Sequence, residues 1–364
     1  MDKKTAMIFS SINKVDEILI PSLEEIKGNG TDMVYYGTDN RYPEYLFGLY
    51  TDCTSLKTVI NGIADYVAGN DVLGNYERFE RPNKKMTWTE FVTALARDFM
   101  LYGGFAYEKI STKNLQDTAE LHYIDFRNLR SSEDNETFFY NPDFKKRYVK
   151  SSKTIILPKF EKSFAQPESI VYYKNSNSTS TTYPIPLYSG ALKCCEIERS
   201  IDEMHLGGIK NGFYGSFIIN IPTGIPSEEE QDEIEQDVTE KFCGSANAGR
   251  FILNFSNGKD GMADIQKLDT VDFGDKYQAA AKRSREQIYA AFRAIPALFG
   301  VMTETTGFNE QEFSEAFKLF NRTMIQPIQK IIVSSINNTI GMDNVIEIKP
   351  FSLNNEKEEI VDEQ

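Results

Sequence analysis

Histidine is scarce in this 364-residue chain, where only His122 and His205 occur. A His-rich metal site or a Ser-His-Asp triad would have to be built around one of them, and the flanking residues support neither. Cysteine is equally sparse. Cys53, Cys194, Cys195 and Cys243 match neither a CxxC zinc spacing nor a disulfide framework, which predicts reduced, structural thiols in a cytosolic compartment. No G-x-x-x-x-G-K-[ST] occurs, and Gly207-Gly208 and the glycines from Gly244 to Gly249 lack the strand-loop-helix context or the lysine of a nucleotide cradle. No stretch approaches the ~20 apolar residues of a membrane span, and MDKKTAMIFSSINKVDEIL contains no long apolar h-region. The expectation is a chain without catalytic residues, metal or cofactor.

Positive charge is also short: 40 Lys+Arg stand against 54 Asp+Glu, for a net charge of −14. Gripping a phosphate backbone or an anionic lipid surface needs clustered cations, so neither is expected as the main activity. A protein that lets DNA pass without holding it stays compatible with this balance. The chain is no disordered acidic solubiliser, since 25 Phe and 19 Tyr supply ample buriable ring surface. Its length suits two or three domains, or one subunit with several regions.

The pattern predicts an α+β fold. Leu56, Val59, Ile60, Ile63 and Val67 share one helix face that stops at Gly69-Asn70. A second helix after Thr87 carries Phe91, Leu95, Phe99 and Leu101, breaks at Gly103-Gly104 and gives way to the strand FAYEKI. From Leu121 to about Ile156, alternation between polar turns predicts short antiparallel strands, and KNSNSTSTT from Lys174 is a polar loop.

After Tyr183-Pro184-Ile185-Pro186, an apolar stripe of Leu187, Ala191, Cys194, Ile197, Ile201, Met204 and Ile209 predicts a helix of ~25 residues that ends at Lys210-Asn211-Gly212. A small αβ insert follows: the strand FIINIP, a helix opened by Pro226-Ser227-Glu228, and the strands RFILNF and DIQKL. That inserted helix carries eight acids between Glu228 and Glu240. A second long helix starts at Asp272, with Phe273, Tyr277, Ala280, Ala281, Ser284, Ile288, Phe292 and Ile295 on one side. Its other side holds Lys276, Lys282, Arg283, Arg285 and Arg293, so it is basic inside an acidic chain. Pro296 and Gly300 close it. The polar run VMTETTGFN then leads to a third long helix from Glu310 to about Thr339, which Pro327 should kink about one turn back. Phe313, Phe317 and Phe320 belong to its core face.

The order of these elements resembles the portal proteins of tailed bacteriophages, the head-to-tail connectors. The residues that carry the likeness are the W-x-x-F-V helix leading to Gly103-Gly104-Phe105-Ala106-Tyr107, the Lys210-Asn211-Gly212 exit, Glu286-Gln287-Ile288 leading to Ile295-Pro296-Ala297-Leu298-Phe299-Gly300, and the run from Phe313 to Pro327. The resemblance implies a wing of residues 1–185 and 310–350, stem helices at 186–212 and 271–298, a clip at 213–270 and a tunnel loop at 299–309. An acidic tail at 351–364 would leave the crown minimal or absent.

The same resemblance implies a non-enzymatic ring subunit, dodecameric by family analogy, at one capsid vertex of the virion and made in the host cytoplasm. Double-stranded DNA would pass through it during packaging and ejection, while a large terminase subunit supplies the energy and a head-tail adaptor and the major capsid protein bind outside. Thr303, Glu304, Thr305, Thr306 and Asn309 would line the channel in the tunnel loop. Lys276, Lys282, Arg283, Arg285 and Arg293 would touch passing phosphates, form an intersubunit charge seam, or face solvent. Glu228, Glu229, Glu230, Asp232 and Glu233 would offer a docking surface in the clip or simple solubility; consecutive positions on a helix do not converge on paired metals. The competing readings are a carboxylate-dependent nuclease or transferase of DNA metabolism, and an interaction scaffold that forms no ring.

Overall fold

A computed structural model describes residues 5–9, 23–28, 32–144, 153–163, 165–175, 182–210, 217–221, 226–227, 229–234, 251–256, 271–301 and 310–351. In chain order the elements are β1 (Thr5–Phe9), β2 (Glu25–Lys27), β3 (Met33–Tyr36), α1 (Tyr42–Asp52), α2 (Thr54–Ala68), β4 (Asp71–Gly74), α3 (Trp88–Tyr102) and β5 (Gly104–Ser111). Next come β6 (Thr118–Tyr123), β7 (Leu129–Ser132), β8 (Thr137–Tyr140), β9 (Ile155–Pro158), β10 (Glu168–Lys174), α4 (Leu192–Lys210) and β11 (Phe217–Ile221). Helical residues 229–234 form α5. The remainder is β12 (Phe251–Ser256), α6 (Val271–Ala291), α7 (Glu310–Phe320), α8 (Gln326–Ile340) and β13 (Ile346–Lys349). The chain divides into two units, Ile20–Cys195 with Ser284–Gln364, and Met1–Leu19 with Glu196–Arg283.

The larger unit is built on α2 and α3. The five α2 residues of the predicted stripe are all buried, as are Phe91, Leu95, Phe99 and Leu101 of α3. Thr87 starts α3 with a capping box: its hydroxyl accepts the Glu90 N–H, and the Glu90 carboxylate accepts the Thr87 N–H. Gly69 ends α2 at φ 67°, where a Cβ would lie 2.1 Å from the Lys349 carbonyl oxygen. That close approach lets the Asn70 N–H donate to Lys349 O at 3.0 Å and brings β13 antiparallel to β4. Two further sheets complete the unit, one in the order β2-β3-β7-β8-β9 and one in the order β10-β5-β6.

Arg130 of β7 is fully buried and has neutral partners. Its Nε donates to Asn40 Oδ1, and its Nη atoms donate to the carbonyls of Asn40, Arg127 and Leu129. The guanidinium thus holds the Asn40 turn, at φ 61°, against the sheet. The hydroxyls of Tyr107, Ser335 and Thr339 tie β5 to α8 through contacts of 2.9 Å.

In the smaller unit, β1 runs antiparallel and β11 parallel to β12. A parallel pair needs a crossover, and α5 lies in the connection between β11 and β12. The predicted strand DIQKL lies outside the described residues, as do Asn211 and Gly212.

Three sequence expectations are corrected. The first long helix begins at Leu192 rather than near residue 187, preceded by a 3-10 turn at Ser189–Ala191. The reason is Tyr188, which is buried and donates its hydroxyl to Leu101 O at 3.1 Å, so the apolar stripe continues through residues that are not α-helical. Pro327 does not simply kink the third helix: a π turn occupies Asn321–Ile325 between α7 and α8. Proline removes one donor and crowds the carbonyl four residues back, at Thr323, and the wider turn accommodates both. Finally, β1 belongs with the smaller unit through its pairing with β12, although the sequence groups it with the residues up to 185.

Asp98 on α3 is buried and accepts the Tyr123 hydroxyl at 3.0 Å. Burial, and then the nearby Asp125 charge, push its carboxyl well above the usual carboxylate range. The folded state therefore holds this proton more tightly than the unfolded chain. The sign follows: stability falls as pH rises from the unfolded value near 3.8 toward the raised folded value. Asp98→Asn should flatten this slope, stabilising the chain at neutral pH and changing little below pH ~3.8. Thermal melts of both proteins across that range check it.

Candidate functional site

The basic helix α6 is held by one face. Ser284, Ile288, Tyr289 and Phe292 are buried, which leaves Lys282, Arg283 and Arg285 exposed on the others. Among the described residues, none of these three cations makes an ion pair within the chain, and the same holds for the exposed Arg293. Lys276 lies on the same helix.

The end of α6 is unusual in chemistry. Ala294 N–H donates to Tyr289 O at 2.9 Å and Arg293 N–H to Ala290 O at 3.0 Å, the paired bonds of a Schellman motif. The left-handed position of that motif, ordinarily glycine, is Arg293 at φ 52°. A long cationic side chain thus occupies a backbone state that disfavours any Cβ by roughly 1–2 kcal/mol.

Past Arg293 the chain turns once more. Ile295-Pro296 opens a 3-10 turn over Pro296–Phe299, closed by Gly300 at φ 76°. The Phe299 ring sits directly on Gly62 of α2, where a Cβ would approach it to 2.6 Å. Tyr66, one helical turn further along α2, donates its hydroxyl to Leu298 O at 2.8 Å. Phe299 makes edge contacts with Tyr66, Tyr289 and Phe320, and Tyr66 also meets the rings of Phe317 and Phe320 on α7. The 3-10 turn that precedes segment 302–309 and the last turn of α7 that follows it therefore meet at one aromatic cluster. Thr303, Glu304, Thr305, Thr306 and Asn309 themselves lie outside the described residues.

The acidic helix α5 also starts with a capping box. Ser227 N–H donates to the Glu230 carboxylate at 3.0 Å, and Glu230 N–H donates to Ser227 Oγ at 3.4 Å. Glu230 is thus engaged locally, whereas Glu229, Asp232 and Glu233 are exposed and have no partner among the described residues. Glu228 lies outside them. On α4, Arg199 pairs with Glu203 at 3.1 Å and with Glu196 at 3.9 Å.

The sequence pattern of the family described as "Phage portal protein" matches residues 75–356. The chain belongs to the phage portal family. Curated relatives are uncharacterised proteins of Rickettsia: one from R. bellii (strain RML369-C) is 27% identical over 165 residues, 44% of this chain and 41% of the relative. Another, from R. felis (strain ATCC VR-1525 / URRWXCal2), is 27% identical over 191 residues, 52% of this chain and 47% of the relative. The matched regions span about half the length of these relatives.

Among solved structures, the fold is similar to a chain from the virion of a native gene transfer agent particle, with TM-score 0.55 and 16% identity, covering 90% of this chain and 85% of that one. It is also similar to a chain from the neck of such a particle computed with C12 symmetry, with TM-score 0.53 and 17% identity, covering 85% and 84%. At these identities the likeness speaks to fold. The expected mixed α+β fold and portal family both hold, and the competing enzyme and scaffold readings are not favoured.

For this phage portal family member, sequence reasoning picked out the cations of α6 and missed what fixes the end of that helix. Gly62 within a strong helical stripe was the available signal, because an interior glycine often marks a close approach. Nothing in the sequence marks Arg293 as left-handed. Arg293→Gly should raise stability by roughly 0.5–1 kcal/mol, the relief of the Cβ strain less the entropy of the added glycine. Arg293→Ala keeps the strain and removes the charge, so it should not stabilise. Denaturant midpoints of both variants test this, and a destabilised Arg293→Gly would mean that the guanidinium makes contacts that outweigh the strain.

Proposed function

We propose that this chain assembles into a closed ring, twelvefold by analogy with its family, at one vertex of a phage-type capsid. The ring is the passage for double-stranded DNA during packaging and ejection. In this reading residues 1–185 and 310–350 are the wing, 186–212 and 271–298 the stem, 213–270 the clip and 299–309 the tunnel loop, with β1 added to the clip. The observation that carries the proposal is the portal-family match across both stem helices and the loop between α6 and α7. The cations of α6 that have no ion-pair partner among the described residues support it, since a ring repeats each exposed charge around its axis and makes weak, sequence-independent phosphate contacts add up.

The acidic surplus of the chain suits a conduit, because like charge keeps the duplex mobile. No catalytic role is proposed for any residue, and the energy of translocation comes from a large terminase subunit. Glu229, Asp232 and Glu233 of α5 form the docking surface for that motor and for a head-tail adaptor in succession, while the major capsid protein surrounds the wing. The protein resides in the virion and is assembled in the host cytoplasm.

Light scattering after size exclusion, with negative-stain images, tests the ring directly. Rings are expected, and a monomer at every salt concentration and in the presence of capsid protein would overturn the reading. Replacing Thr303–Thr306 with glycines should leave ring assembly intact and reduce packaged or retained DNA. Normal titre and full genome content in that variant would remove the tunnel-loop assignment.

A further inference from the structure

In one corner of the larger unit a lysine amine is held against an asparagine amide, with a carboxylate close by. Asn135 lies in the turn between β7 and β8 at φ 58°, is buried, and donates its backbone N–H to Ser132 O at 3.1 Å. Its side-chain amide has a settled orientation. Nδ2 donates to Ser131 Oγ at 2.8 Å and to Thr182 O at 3.1 Å, and because that carbonyl can only accept, the NH2 end must face it. Lys174, the last residue of β10, meets the other end: its Nζ donates to Asn135 Oδ1 at 2.9 Å. The amine therefore sits beside the amide carbon, Cγ, to which Oδ1 is bonded. The neighbouring lysines of this corner, Lys27 and Lys159, face the carboxylates of Glu133 and Glu136, which carry no amine to displace.

Glu25 of β2 completes the group. Its carboxylate accepts Thr182 N–H at 3.1 Å and Tyr183 N–H at 2.9 Å. Thr182, which is fully buried, thus holds the carboxylate at its N–H and the Asn135 amide at its C=O. Burial lowers the Lys174 amine below the ordinary lysine value, while the Glu25 charge works in the opposite direction. A partly desolvated lysine held against a carbonyl is a nucleophile in place, and an amide whose NH2 is pinned by two acceptors presents a leaving group of fixed direction.

We propose that Lys174 and Asn135 join in an intramolecular isopeptide bond. Nζ attacks Cγ; the Nζ–Cγ bond forms, the Cγ–Nδ2 bond breaks, and the electron pair of the broken bond leaves with Nδ2. The two protons that the Lys174 ammonium gives up reach Nδ2 by way of the Glu25 carboxylate, and the nitrogen departs as ammonium, so the step needs no oxidant and no co-reactant. The product ties β10 to the β7–β8 turn and so links the sheet β10-β5-β6 to the five-stranded sheet. It closes residues 135–174 into a loop and persists in a reducing compartment, where disulfides are not kept. It forms within one chain and requires no ring.

Intact-mass spectrometry of the full chain, with sequencing of its proteolytic peptides, tests the proposal. The chain should weigh about 17 Da less than its sequence, the mass of one ammonia, and digestion should release a branched peptide that carries both Asn135 and Lys174. Lys174→Arg and Asn135→Ala should each recover the full sequence mass. A loss that persists in Lys174→Arg overturns the proposal, since it assigns the missing ammonia to closure of Asn135 on its own backbone. A folded chain that keeps its sequence mass and yields no branched peptide after prolonged incubation overturns it as well. Glu25→Gln keeps an acceptor for the Thr182 and Tyr183 N–H groups and removes the charge, so the branched peptide should build up at least about tenfold more slowly. An unchanged rate in that variant would remove Glu25 from the proton path.

Discussion

The seat of Phe299 on Gly62 is the constraint on which the functional geometry depends. A phenyl ring can lie this close to a helix only where the helix has no Cβ, and the Tyr66 hydroxyl then fixes the backbone beside it. Because Tyr66 also meets Phe317 and Phe320, the turn after α6 and the last turn of α7 refer to the same point on α2. α2 is in turn buried along its whole stripe against the core of the larger unit. The Phe299 turn and the last turn of α7 are thus tied to that core through aromatic packing.

Charge is distributed differently from apolar packing. Buried ionic groups in the larger unit are few and closely partnered, as Arg130 illustrates with its ring of carbonyl acceptors. Among the described residues, the exposed acids Glu229, Asp232 and Glu233 of α5 and the exposed cations Lys282, Arg283 and Arg285 of α6 lack ion-pair partners. Such groups add little to the stability of one subunit, and they remain free to act on something outside it. Glu230 is the exception within α5: its position three residues after Ser227 commits it to the helix start.

Much of the larger unit was legible in the sequence because its helices obey local rules. The α2 stripe, the helix start after Thr87 and the glycines at 69 and 103 each act within a few residues, and each has one physical meaning. Features set by distant partners were not legible. The start of α4 depends on where the Tyr188 hydroxyl finds Leu101, and β1 depends on a pairing some 250 residues away. The left-handed Arg293 violates the residue preference that a reader would use to find it. Of the candidate site, residue types and their order could be read, and the portal family followed from that order; the anchor at Gly62 and Tyr66 needed the packing.

One closing contact has a further meaning for how the molecule is made. β4, completed within the first 74 residues, finds its partner in β13 at residues 346–349, and the larger unit is interrupted by the whole of 196–283. During synthesis this edge of β4 therefore waits for residues 346–349 to leave the ribosome, while the inserted unit has its sequence available much earlier. High sequence separation makes that last pairing slow relative to local helix formation. A subunit truncated or stalled before residue 346 would lack the strand that closes its sheet, and β4 would be left with an open edge.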